Sequence, residues 1–136
     1  MNSYLNFYFP SIEKGGLEKN VFSLINSLAE KKYNINFFTY EDNTNTKEFG
    51  KKFYFHKNIN VITARFIPGI NSRYIKYFFC FLKLLITLIY KKGIIVSFQG
   101  NVLPIIAAKI MCRKIIIRCN TAPSKYVDSS FKKNFF

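Results

Sequence analysis

The residues best suited to chemistry are Gly15 and Gly16, in the stretch Pro10-Ser11-Ile12-Glu13-Lys14-Gly15-Gly16-Leu17-Glu18. Two adjacent glycines let a backbone turn sharply and approach a ligand with no side chain between them. Behind them Leu17 to Lys32 is amphipathic, with Leu17, Val21, Leu24, Ile25, Leu28 and Ala29 at helical spacing. A helix opening there aims its free N–H groups over the loop, where an anionic group is favoured. Glu18 falls in its first turn and Lys31-Lys32 in its last, signs that complement the helix dipole. A Gly-Gly pair also builds an ordinary tight turn, so the rest of the chain must decide between the two uses.

Other reactive side chains are sparse. Cys80, Cys112 and Cys119 form no Cys-x-x-Cys pair and stand in or beside apolar runs, the pattern of reduced thiols in a cytoplasmic protein. His56 is the single histidine and has no companion at ligand spacing, so no metal site is expected. The 136 residues carry 21 Lys and Arg against 7 Asp and Glu, a net charge of +14. That balance favours nucleic acid, acidic lipid or a phosphorylated ligand, although a general enrichment in Lys, Asn, Ile and Phe would give the same sum. With 49% hydrophobic residues, 16 Phe and 9 Tyr, the chain can bury a core, and its length suits one domain. No basic segment precedes a long apolar stretch at the start, so no secretory leader is expected.

The elements that must hold the glycine loop follow from hydrophobic periodicity. Tyr4 to Phe9 reads as a buried strand ending at Pro10, and Ile35 to Tyr40 as a second. With the helix between them they make a right-handed βαβ unit. Residues 41–58 are a polar interruption, expected to be the most mobile segment. Asn60 to Phe66 reads as a third strand closed by Pro68-Gly69, Ile94 to Phe98 as a fourth, and Lys114 to Cys119 as a fifth. Gln99-Gly100-Asn101 forms a turn, and Asn101 suits the cap of a helix reaching about Cys112, with Pro104 tolerated in its first turn. Asn120-Thr121-Ala122-Pro123-Ser124 is a polar loop after the fifth strand, and Phe131 to Phe136 reads as a helix just begun.

Asn71 to Lys92 has the most unusual composition. From Tyr74 to Tyr90 only Lys76, Lys83 and Thr87 interrupt the apolar residues, and Gly93 ends the helix. At about 100° per residue, Arg73, Lys76, Lys83, Thr87 and Lys91 share one narrow stripe with Cys80, and the rest of the circumference is apolar. The run falls short of the roughly 20 apolar residues that a membrane span wants. A helix packed on a sheet is the leading reading, followed by one that also touches a membrane surface, then by a span.

The fold class expected is therefore α/β, a Rossmann-like open, mainly parallel sheet with helices on both faces. Ligands of such sheets bind beyond the carboxyl ends of the strands. The glycine loop, Ser97 to Asn101 and Arg118 to Ser124 would gather on that edge.

Three blocks now match one family in order. Ile12 to Glu18 resembles the "GG-x-E" loop that opens the N-terminal domain of family 4 glycosyltransferases of the GT-B fold. Ile95-Val96-Ser97-Phe98-Gln99-Gly100-Asn101, followed by Ala107-Ala108-Lys109, resembles that domain's next block. Ile116 to Ser124 resembles the "IRSNTSPS" variant of polysaccharide and O-antigen transferases. The resemblance covers nearly the whole chain and implies a single acceptor-side domain at 1–136, one half of a GT-B fold. It implies a donor pyrophosphate facing the Gly15 and Gly16 amides, and a cleft lined by Glu18, Gln99, Asn101, Arg118, Asn120, Thr121 and Ser124, with Arg118 a charge-assisted donor. Its substrates would be a nucleotide sugar and a glycan or lipid-linked acceptor, with no separate cofactor.

Two departures from the family pattern shape the expectation. The histidine that many relatives carry beyond the fourth strand is replaced by Phe98-Gln99-Gly100, so no catalytic residue is assigned. The donor-binding second domain is missing, and Glu41 and Glu48 fall one residue short of that domain's paired-glutamate spacing. Little or no transferase activity is expected without a separate donor-domain chain. A peripheral place on the inner face of the cell membrane is expected, through Arg73, Lys76, Lys83 and Lys91 on an anionic surface. Two rivals remain. One is a dinucleotide-binding Rossmann module, whose GxGxxG is absent and for which Glu41-Asp42 are only loosely placed. The other is a basic membrane-associated binding module; nucleic acid is not expected, because the aromatics lie in apolar runs.

Overall fold

The structure, a computed structural model, describes residues 4–12, 16–41, 55–67 and 69–119. Five strands form one sheet: β1 (Tyr4–Tyr8), β2 (Asn34–Thr39), β3 (Ile59–Thr63), β4 (Gly93–Ser97) and β5 (Ile115–Ile117). Their order is β3-β2-β1-β4-β5 and every neighbouring pair is parallel. Helix α1 (Gly16–Glu30) joins β1 to β2, α2 (Arg73–Tyr90) precedes β4, and α3 (Val102–Ile110) joins β4 to β5. This is the expected Rossmann-like α/β arrangement.

Side-chain alternation divides the core between two layers. Phe7, Phe9, Ile35, Phe37, Val96 and Phe98 pack on α1 through Val21, Phe22, Ile25 and Ala29. Tyr8, Phe38, Tyr40 and Ile95 face the opposite side, covered by Cys80, Leu84 and Leu88 of α2 and Ala107 and Ala108 of α3. Central parallel strands are buried on both faces, which is why β1 and β2 read as nearly unbroken apolar runs. Phe22, Phe37 and Phe55 form one aromatic cluster with centroids 5.1–5.9 Å apart.

Helix ends differ from the sequence reading in instructive ways. α1 stops at Glu30, so Lys31-Lys32 lie beyond its last turn. There Lys32 takes a left-handed φ of 64°, its amide bonds to the Ala29 carbonyl and the Tyr33 amide to that of Leu28. Cys112 ends α3 the same way, with the Arg113 amide on the Ala108 carbonyl. Both are Schellman closures made without glycine. β3 ends at Thr63, three residues short of Phe66, whose ring turns to pack on Phe79 at 5.2 Å. Gly93 does not end the preceding helix; it is the first residue of β4, opposite Tyr4.

The polar stripe of α2 is likewise not its solvent side. Cys80 within it is buried, and the lysines lie against rings of the same chain. Lys76 pairs with Glu41 at 2.8 Å and lies over Tyr40, Lys83 over Phe66 at 5.1 Å, and Lys91 over Tyr4 at 5.2 Å. Long lysine stems cover apolar surface while the ammonium meets a ring face or carboxylate. Leu84 and Leu88 pack on the sheet beside Cys80, and the apolar side opposite them, with Ile75, Phe78, Ile86 and Ile89, faces outward. No helix among the described residues is long and apolar enough to cross a membrane.

Candidate functional site

The strand order reverses at β1, which has β2 on one side and β4 on the other. The chain leaving β1 runs to α1 on one face, and the chain leaving β4 runs to α3 on the other. Divergence of this kind opens a crevice at the carboxyl edge, where ligands of such sheets bind. The two loops touch there: the buried Ser11 amide donates to Oε1 of Gln99 at 3.4 Å.

The turn after β4 is built by its own side chains. The buried Ser97 hydroxyl donates to Oδ1 of Asn101 at 2.8 Å and lies 3.3 Å from the Gln99 carbonyl. Asn101 stands at the N-cap position of α3 but makes no side-chain cap, because its amide oxygen is engaged across the turn; its carbonyl accepts from Ile105. Gly100 has φ +58°, and a Cβ there would meet the Tyr77 ring at 2.9 Å. Tyr77 in turn accepts the Tyr8 hydroxyl on its carbonyl at 2.6 Å. Gly100→Ala combines left-handed strain with overpacking, and is expected to cost about 2–4 kcal/mol, read as a lowered urea midpoint at unchanged slope.

At the opening of α1 the picture is different. Gly16 is the first helical residue, is exposed, and has nothing within 4 Å of where a Cβ would stand. The fold itself therefore does not require glycine at Gly16, and the space above it is open. Glu18, expected to line the cleft, is only 4% exposed and sits in the first turn beneath that space. Gly15, Asn120, Thr121 and Ser124 lie outside the described residues.

Arg118 reaches the same edge from β5. Its amide donates to the Ser97 carbonyl at 3.0 Å, and its guanidinium lies 5.8 Å from the Phe98 ring centre. It forms the rim of an apolar groove of about 430 Å³ on the α1 side, floored by Leu5, Phe7, Val96 and Phe98. Gly16, Gln99, Asn101 and Arg118 are thus brought to the carboxyl edge.

A second cavity, of about 180 Å³, was not anticipated. It lies at the carboxyl ends of β2 and β3, between Tyr40, Glu41, Arg65, Asn71 and Lys76. The signal was an acidic residue placed directly after an apolar strand, with a basic one just past the next strand. The Tyr40 hydroxyl donates to the Ile67 carbonyl at 2.6 Å, and the Glu41 carboxylate is held by Lys76. That ion pair engages the carboxylate which a dinucleotide-binding module would direct to a ribose.

Buried groups near the edge are not reactive. Burial pushes the Cys80 thiol far up, the Glu41 carboxylate adding to the effect, and burial raises the Tyr8 phenol as well. Both stay protonated near neutrality, so neither is a nucleophile or a base. His56 lies just before β3, at the opposite, amino edge of the sheet. No protein-family model matches the chain, and no curated protein matches it.

Proposed function

We propose that this chain is the acceptor-side half of a sugar-transferring enzyme, working in the cytoplasm together with a donor-binding half. It would pass a sugar from a nucleotide donor to a glycan or lipid-linked acceptor. The observation that carries the reading is the convergence at the β1–β4 reversal of the open α1 N-terminus, the Gln99-Gly100-Asn101 turn and Arg118. Sugar transfer concentrates negative charge on the departing nucleotide, and preorganised donors at that point lower the barrier. The first-turn amides of α1 and the Arg118 guanidinium are donors of that kind. No described side chain at this edge is a poised general base, so the chain's part is to bind and orient.

One wall of a cleft excludes little water, so residues 1–136 by themselves should turn over labelled nucleotide sugars and lipid acceptors slowly or not at all. Clear turnover by the purified chain would sink that part of the proposal. Gly16→Ala tests the loop itself. Its stability should hold or rise by about 0.5 kcal/mol, because alanine loses less chain entropy on entering a helix. Calorimetric affinity for a nucleotide sugar should fall several-fold, because the new methyl stands where the phosphate approaches. Equal affinity in both proteins would remove the phosphate-facing role. The strand order also suits a dinucleotide-binding module, and tight NAD(P) binding in the same titration would favour it.

A further inference from the structure

α2 and α3 cover the same face of the sheet, so their outer sides form one surface. On α2 that surface is a line of large apolar residues, Ile75, Phe78, Ile86 and Ile89, with the last three 50%, 53% and 61% exposed. On α3 it continues through Val102 and Ile106, with Lys109 exposed among them. α2 has 18 residues, which is a rod of about 27 Å. A continuous apolar line of that length is a contact surface rather than scattered exposure.

The charge around it selects the occupant. Between Glu48 and Asp128 there is no Asp or Glu, so every charged residue of α2, α3 and their connections is a cation. Glu41, the described carboxylate that reaches α2, is held by Lys76. Arg73, Lys92, Lys109 and Lys114 are exposed at the ends and along α3. A second copy would bring two wholly basic faces together, and a nucleic acid would meet aliphatic side chains where it needs polar ones. An anionic bilayer satisfies both halves of the pattern, apolar side chains in the acyl boundary and cations among the headgroups.

We propose that the outer face of α2 and α3 lies in the surface of an anionic membrane, with the apolar line Ile75–Phe78–Ile86–Ile89 inserted. The cations that serve it are Lys92 and Lys109, rather than the stripe of Lys76, Lys83 and Lys91, whose side chains lie over the chain's own rings. The proposal is independent of any enzymatic role.

Flotation of the full chain with phosphatidylcholine vesicles, with and without phosphatidylserine, tests it. Binding should appear with the anionic vesicles and weaken as salt is added. Each of Lys92→Gln and Lys109→Gln should lower the partition about fivefold, whereas Lys83→Gln and Lys91→Gln should leave it unchanged. Phe78→Gln/Ile86→Gln/Ile89→Gln should abolish binding with an unchanged circular-dichroism melt; should the triple variant not fold, Ile89→Gln alone should still weaken binding. No flotation with either vesicle, or equal flotation with both, overturns the proposal. So does a dimer in light scattering that the triple variant dissociates while vesicle binding persists.

Discussion

Replacing Gly93 with alanine is expected to lower stability by about 3 kcal/mol or more and the melting temperature by about 10 °C. Gly93 opens β4 directly opposite Tyr4 of β1. A Cβ there would collide with the Tyr4 carbonyl oxygen, a backbone atom, and would stand 2.7 Å from Nδ2 of Asn6. A flexible side chain could yield, but a backbone carbonyl in a central strand cannot move without parting the strands. The pair at stake is β1–β4, whose carboxyl ends form the reversal point of the sheet. The same variant should therefore lose any ligand affinity measured at that edge before it unfolds globally. A melt within about 1 kcal/mol of wild type would show that the strands rearrange at little cost.

The sequence located this glycine but misread its purpose. After Lys91-Lys92 at the end of a long apolar helix, a glycine looks like a helix stop. Its real constraint comes from Tyr4, far away in the chain, and no local pattern carries that information. The α2 stripe was misread for a related reason. A helical wheel separates polar from apolar sides, and ordinary solvation places the polar side outward. Here the lysines find Glu41, Tyr40, Phe66 and Tyr4, partners contributed by three separate segments. Only the assembled fold brings them within reach.

Where spacing alone decides, the reading was close. All five strands and all three described helices lie where alternation and helical period put them, to within a few residues at the ends. A parallel sheet sends every strand end to one edge, so the gathering of Gly16, Gln99 and Arg118 was legible from topology. Their inner contacts were not. Asn101 met the preference for an N-cap, yet Ser97 takes its oxygen, a competition set by how tightly the turn folds around Gly100. The Glu41–Lys76 cavity required β2 and α2 to be adjacent, which periodicity does not reveal.

A second large effect is expected at Asn36. Asn6, Asn36 and Asn60 stand in register on three adjacent strands, each between two apolar residues, a repeated pattern that went unnoticed in the sequence. Nδ2 of Asn60 donates to Oδ1 of Asn36 at 3.2 Å, and Nδ2 of Asn36 donates to Oδ1 of Asn6 at 2.8 Å. Asn6 and Asn36 are fully buried, and Nδ2 of Asn6 has no hydrogen-bond partner. Asn36→Ala would leave the whole Asn6 amide unsatisfied and open a small void, at an expected cost of about 3 kcal/mol. Asn60, being exposed, would turn to water. The double replacement Asn6→Val/Asn36→Val removes both buried amides, including the unpartnered donor, and should recover most of that loss or exceed wild type. Chemical denaturation of the three proteins reads the difference directly. If the valine pair were the least stable of them, the ladder would be holding more than itself. A slip of β2 by one residue would set Asn36 against Leu5 or Phe7, so the amides penalise wrong registers even where they add little to the right one. Register determines which residues of β1 and β2 end at the carboxyl edge, and through it the ladder at the sheet's centre bears on the geometry of the site.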